Sequence, residues 1–151
     1  MRGKFQSILI TGASSGLGAA LAEGYAERGV HLHLGARRAD LLVALAETCR
    51  AKGAEVSVEV IDVTARDGMA DWITRAHRLK PIDLVIANAG ISGGTHGGIE
   101  SDDQVRAIFA VNVDGVLNTV LPAIPLLTAQ KRGQIGIMAS LAGHRGFPGA
   151  P

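Results

Sequence analysis

The sequence is poor in aromatic residues. Only 3% of its 151 residues are Phe, Trp or Tyr, although 47% are hydrophobic. A core of rings is excluded, so Ala, Val, Ile and Leu must fill it, which suits parallel strands covered by helices on both faces. Net charge is also scarce. Fifteen Lys and Arg stand against 14 Asp and Glu, for a formal +1, which removes the electrostatic case for binding nucleic acid or an acidic membrane. A single cysteine, Cys49, excludes an internal disulfide and is compatible with a reducing, cytoplasmic setting. No continuous apolar run reaches the roughly 18 residues of a membrane span. Residues 1–6 lead straight into the first strand, without the layout of a signal peptide. His31, His33, His77, His96 and His144 lack metal-ligand spacing with partner residues, so no metal site is expected. The length suits one domain, since domains commonly run to roughly 100–200 residues.

Glycine, by contrast, is plentiful, with 20 in the chain. The octapeptide Thr11-Gly12-Ala13-Ser14-Ser15-Gly16-Leu17-Gly18 follows the apolar run Ile8-Leu9-Ile10 and opens a helical pattern. This layout predicts a glycine-rich loop between a first strand and a first helix. The backbone of such a loop approaches an anionic ligand closely. The helix behind it offers unpaired N–H groups and roughly half a positive charge to a phosphate. The spacing T-G-x-x-x-G-x-G differs from the common dinucleotide fingerprint G-x-G-x-x-G. A tight strand-to-helix turn without a ligand is the plainer reading of the same residues.

The rest of the chain alternates strand and helix. Strands are expected at 6–11, 30–35, 55–61, 82–87 and 134–139. Helices are expected at 16–28, 39–52, 64–79 and, as one long helical region, 102–131. Gly29 and Gly53 suit helix C-caps. Thr64 suits an N-cap. Residues 55–61 alternate Val with Ser and Glu, as at a half-exposed sheet edge. Gly93 to Gly98 reads as a loop, and glycine and proline thin the chain from Gly143 to Pro151. Strands separated by helices predict βαβ units. Right-handed crossovers then give the order 3-2-1-4-5, with a ligand at the carboxyl ends where the order reverses. The expected fold is α/β, a Rossmann-type doubly wound parallel sheet, with residues 1–151 as one domain.

With these pieces placed, the chain resembles the classical short-chain dehydrogenase/reductase family over essentially its whole length. Thr11 to Gly18 matches the cofactor loop of that family. Asp62-Val63 after strand three matches its adenine-contacting pair. Ala87-Asn88-Ala89-Gly90 matches its N-N-A-G motif, with alanine at the first position. Ile137-Met138-Ala139-Ser140 looks like its catalytic-serine strand. The resemblance implies an NAD(P)-binding domain, cut off after its fifth strand and incomplete at its C-terminus, in which Gly12, Gly16 and Gly18 shape the pyrophosphate pocket, with Ser14 and Ser15 in the loop and Leu17 as packing and part of a wall. It implies that Asp62, with Val63, receives the adenine amino group, and that Asn88, Ala89 and Gly90 line the ribose and nicotinamide side. Ser14 also reads as an ordinary turn serine, Asp62 as an exposed aspartate, and Asn88 as a group that fixes the turn.

The end of the second strand bears on the cofactor. NAD enzymes usually place an acid there to hold the ribose hydroxyls. This chain has Gly35-Ala36-Arg37-Arg38 instead. Guanidinium groups suit a phosphate, so NADP(H) is expected over NAD(H), with Arg37 leading and Arg38 secondary. Solvated helix-start charges are the alternative.

For chemistry, the resemblance implies a serine, a tyrosine and a lysine, supported by an asparagine, that move hydride and a proton between the nicotinamide cofactor and a small-molecule carbonyl or alcohol. Ser140 matches the serine and Asn112 the asparagine. The tyrosine is expected about a dozen residues beyond Ser140, whereas the sequence runs to Pro151 and its one tyrosine, Tyr25, lies in the first helix. The 151-residue chain is therefore expected to lack the proton donor and to be inactive by itself. A non-catalytic dinucleotide-binding or interaction module stays open as the other reading. Val116, Leu117, Val120, Leu121, Ile124 and Leu127 give the 102–131 region a wide apolar face, through which the resemblance implies a homo-oligomer.

Overall fold

The computed structural model describes residues 5–93, 100–140 and 143–145. The predicted loop at 94–98 and the segment 146–151 lie outside them. The elements are β1 (Ser7–Thr11), α1 (Gly16–Tyr25), β2 (His31–Ala36), α2 (Ala39–Ala51), β3 (Glu55–Val60), α3 (Arg66–Leu79), β4 (Leu84–Ala87), α4 (Asp102–Phe109), a π-helical turn (Ala110–Asp114), α5 (Gly115–Ala129) and β5 (Gln134–Ile137). The sheet is parallel, in the order β3-β2-β1-β4-β5. This is the doubly wound α/β fold that the alternation predicted.

Every residue of β1, β2 and β4 is buried. This follows from layering, because helices cover both faces of the central strands. On one face Ile8, Ile10, Leu32 and Leu34 meet Ala22 of α1 and Leu42 and Leu45 of α2. On the other, Leu9 and Val85 meet Met69, Trp72 and Ile73 of α3 and Ala123 and Leu127 of α5. Gly35 of β2 sits directly under the Trp72 ring, where a Cβ would collide with it. Edge strand β3 is only half covered, as its Val/Ser/Glu alternation suggested.

Three expectations need correction. Thr64 does not cap α3. The helix starts at Arg66, with Ala65 before it and no side-chain cap, and the Thr64 hydroxyl turns back to donate to Asp62. The 102–131 region is two α-helices joined by a π turn: Val111 of the turn packs into the core beneath α3 and α5, and Gly115, the first residue of α5, presses on Val63. Finally, the region's wide apolar face is covered by the domain only in part. Ala123 and Leu127 are buried, whereas Phe109, Val113, Leu117, Leu121 and Ile124 are exposed. By length and hydropathy 102–129 could cross a bilayer, but α5 is packed on α3 and its side chains are bonded into the domain. The shorter observed α1, β4 and β5 differ from expectation only by frayed ends.

The sheet face under α3 carries a polar ladder that no pattern announced. His31 and His33, adjacent on one face of β2, stack with ring centroids 4.4 Å apart. His33 Nε2 lies 3.2 Å from Ser7 Oγ, and its Nδ1 lies 2.8 Å from Ser57 Oγ. Ser7 Oγ in turn donates to the Lys80 carbonyl. A neutral His33 that donates from Nε2 and accepts at Nδ1 satisfies all these contacts. Burial, and then the neighbouring His31 and His77, push its pKa down to about 3.

The consequence is acid sensitivity. The unfolded chain takes up a proton on His33 below about pH 6.5, which the folded chain refuses until about pH 3. Stability from this group is complete above the upper value and drains away as pH falls through the window, at a slope approaching about 1.4 kcal/mol per pH unit. Urea melts at a series of pH values should show this fall, and His33→Gln should flatten it. An equally steep fall in the variant would assign the acid sensitivity elsewhere.

Candidate functional site

The site lies at the carboxyl ends of β1, β2 and β4, where the strand order reverses. The chain leaves β1 at Thr11 and turns through Gly12, whose φ of +66° an L side chain resists. A Cβ on Gly12 would also lie 2.6 Å from the Ala89 Cα. Gly18 needs bareness rather than a special φ. Its missing Cβ would strike the Gly12 carbonyl and lie 2.6 Å from the Asn88 Nδ2. Gly16 has positive φ and open space in front of it. Ser15 stands at the N-cap of α1 in extended conformation, yet its side chain caps none of the first-turn N–H groups. A helix start left in this state, behind a glycine loop, fits a phosphate-bearing ligand.

Asn88 and Thr11 tie the loop to β4. Asn88 Nδ2 donates to the Thr11 carbonyl at 3.0 Å and to the Gly12 carbonyl at 3.3 Å. Thr11 Oγ1 accepts from the backbone N–H groups of Asn88 and Ala89. The Asn88 side chain is thus committed to shaping the loop, the plainer of the two roles that its motif allowed.

The two arginines divide. Arg38 donates to Ser14 Oγ at 3.0 Å and to Ser15 Oγ at 2.6 Å, which fixes its guanidinium over the loop. Arg37 lies with Nη1 3.6 Å from Asp62 Oδ2. Asp62 Oδ1 accepts from the Thr64 backbone N–H and hydroxyl, both at 2.9 Å. These bonds, the backbone one first, hold the Asp62 carboxyl below its ordinary pKa, and Arg37 adds to the effect.

Between these groups opens a cavity of about 500 Å³. Gly12, Ser14, Ser15, Leu17, Arg37, Arg38, Asp62, Val63, Asn88, Ala89 and Gly90 line it. Of the residues assigned to cofactor binding, Gly16 and Gly18 do not line it: Gly18 is buried behind the Gly12 turn, and Gly16 is exposed at the start of α1. Ala36, Ile61, Ile91 and Val111 complete the lining. Sequence reading missed these four because apolar wall residues carry no chemical signature, although Ala36 and Ile61 directly precede residues that it named.

Neither of the two residues assigned to chemistry lines this cavity, although Asn112 adjoins its Gly90–Ile91 wall. Asn112, in the π turn, accepts from the Ile91 N–H at 2.8 Å and donates to the Ile91 carbonyl at 2.9 Å. A π turn inside a longer helix is a frequent mark of a functional position. Ser140 follows β5 and is exposed, with its carbonyl accepting from Gly143. Among the described residues no group of three or more His, Cys, Asp or Glu is placed to hold a metal ion.

A parallel sheet in this order, with a glycine loop, an acid after β3 and an asparagine after β4 around one cleft, defines a Rossmann-like α/β protein with its cleft at the point where the strand order reverses. Comparison with known proteins sharpens this. The short chain dehydrogenase family model matches residues 6–151, and the chain belongs to that family. An uncharacterized oxidoreductase of Myxococcus xanthus is 38% identical over 146 residues, which cover 96% of this chain and 58% of that protein. An NAD+-bound xylitol dehydrogenase superposes with a TM-score of 0.88 at 27% identity, over 95% of this chain and 56% of the other. A metagenomic short-chain oxidoreductase in complex with NADP gives 0.85 at 30% identity, over 94% and 65%. The chain therefore spans a little over half the length of the first two proteins.

The packing around Gly18 yields a direct test. Gly18→Ala must move the Gly12 carbonyl or the Asn88 carboxamide, so chemical denaturation should show a loss of about 1–3 kcal/mol. Gly24→Ala in the same helix, with nothing within 4 Å of its added Cβ, should show no loss.

Proposed function

We propose that this chain forms the cofactor-holding part of an NADP(H)-dependent oxidoreductase that acts on a carbonyl or secondary alcohol. The observation that carries the cofactor preference is the end of β2. Arg37 and Arg38 stand where a ribose-binding acid would favour NAD, and Arg38 is already held by two loop serines. When bound, the nicotinamide dinucleotide would supply the hydride. The loop and the first turn of α1 would receive the pyrophosphate, Arg37 and Arg38 the 2′-phosphate, and Asp62 the adenine amino group. Asn88 keeps the loop in shape for this. Asn112 fixes the Ile91 backbone at the far end of the cleft, and Ser140 orients the substrate oxygen. Within the 151 residues Tyr25, in α1, is the only phenol and packs against the core, so we propose that the isolated chain binds cofactor without turning substrate over. A reducing cytoplasm is the setting that this cofactor chemistry and the lone buried Cys49 suit.

Titration of the purified protein with NADPH and NADH, followed by nicotinamide fluorescence, tests the preference. NADPH should bind tighter, and Arg37→Ala and Arg38→Ala should each remove on the order of tenfold from that preference, as expected for a charge-assisted contact. Equal or tighter binding of NADH would sink the assignment.

The exposed row Phe109, Val113, Leu117, Leu121 and Ile124 fits a second copy of the chain. An apolar strip of this kind on a single protein is costly to leave in water. Sedimentation should show a dimer or larger assembly, and Leu117→Glu with Leu121→Glu should shift it to monomer. A monomeric parent would remove this part of the proposal.

A further inference from the structure

Helix α5 touches the adenine side of the cleft at one point. Gly115 lies against Val63, where any side chain would collide with it. One turn further on, Asn118 Nδ2 donates to the Val63 carbonyl at 2.9 Å. The peptide that carries this carbonyl also carries the Thr64 N–H, and that N–H donates to Asp62 Oδ1 at 2.9 Å. The peptide plane between Val63 and Thr64 is therefore gripped from both sides, by a carboxamide on α5 and by the carboxylate that faces the cleft. Each bond polarises the peptide in the sense that strengthens the other. Val63 is buried and lines the cavity, so its carbonyl has little access to water if Asn118 is lost.

We infer that Asn118 is a positioning residue for cofactor recognition: through the Val63–Thr64 peptide it sets the Asp62 carboxylate for the amino group of adenine. The inference rests on the NADP(H) reading above, and it adds a residue on the helix opposite the glycine loop to the machinery that selects the base. Asn118 does not touch the cofactor itself. Its effect falls chiefly on the base, because the pyrophosphate and 2′-phosphate contacts come from the loop and from β2, of which only Arg37 also touches Asp62, loosely at 3.6 Å.

The test compares two ligands that differ only at the base. NADPH carries the 6-amino group of adenine, and its hypoxanthine analogue carries an oxo group there, which the carboxylate repels. Dissociation constants for both are measured with the parent protein, with Asn118→Leu, which keeps the size and loses the donor, and with Asn118→Asp, which sets an acceptor against the Val63 carbonyl. The parent should prefer NADPH by about tenfold, the worth of a hydrogen bond to a charged acceptor. Both variants should lose most of that preference while binding the analogue nearly as the parent does, and where one variant does not fold the other supplies the ratio. An unchanged ratio in a folded variant overturns the inference and leaves the cofactor reading standing. Equal weakening for both ligands also overturns it, since that marks a general loss of structure. A parent that binds neither ligand overturns the cofactor reading, and the inference falls with it.

Discussion

The structure depends on the knot between β1 and β4. Four hydrogen bonds join Thr11 and Gly12 to Asn88 and Ala89 where the two strands end: two from the Asn88 carboxamide to the Thr11 and Gly12 carbonyls, and two from the Asn88 and Ala89 backbone N–H groups to the Thr11 hydroxyl. In a parallel sheet whose order reverses at this point, the crossover connections leave in opposite directions and open a crevice. Something must keep its floor from spreading, and the knot does so with side chains rather than a covalent link. Its cost is steric. Asn88 reaches the loop only because Gly18 presents no Cβ, and Ala89 lies against Gly12 for the same reason. The glycines of the loop thus serve the protein before they serve any ligand, and a ligand-free loop keeps its shape.

This explains why much of the fold was legible in the sequence. The order of strands follows from alternation and handedness alone, and the buried strands Ile8-Leu9-Ile10 and Leu84 to Ala87 are apolar throughout because helices cover both faces. What stayed hidden depends on contacts between distant residues. The His31–His33 ladder gains its meaning from Ser7 and Ser57 on neighbouring strands. Thr64 looked like a cap, but Asp62, two residues before it, competes for its hydroxyl and N–H and wins. The π turn at Ala110–Asp114 leaves no compositional trace.

The site divides in the same way. Motif positions such as Gly12, Asp62 and Asn88 were legible because loop geometry or an acid at a strand end restricts which residue can stand there. Arg37 and Arg38 were legible as a pair but not as individuals. Adjacent residues leaving a strand point apart, so one guanidinium reaches back to Ser14 and Ser15 and the other forward to Asp62. Exposed ion pairs contribute little, and the Arg37–Asp62 contact is accordingly loose at 3.6 Å. Arg38 is held instead by the Ser14 and Ser15 hydroxyl groups, which carry no charge of their own. Pre-placement by neutral partners is the cheaper way to hold a cation at a binding site, because no competing carboxylate has to be displaced.

The helical stretch from α4 to α5 joins these layers. Its side chains Asn112 and Asn118 bind backbone at two ends of the cleft, Ile91 and Val63. Its outward side chains Phe109, Val113, Leu117 and Leu121 are exposed and apolar. Packed helices do not deform continuously, so a displacement of this stretch reaches both ends of the cleft together. Burying the outer strip would restrain the same helices that hold Asp62 and Ile91 in register. The exposed apolar strip and the two backbone contacts at the cleft are therefore carried by the same helical stretch, with Asn112 in its π turn and Asn118 in α5.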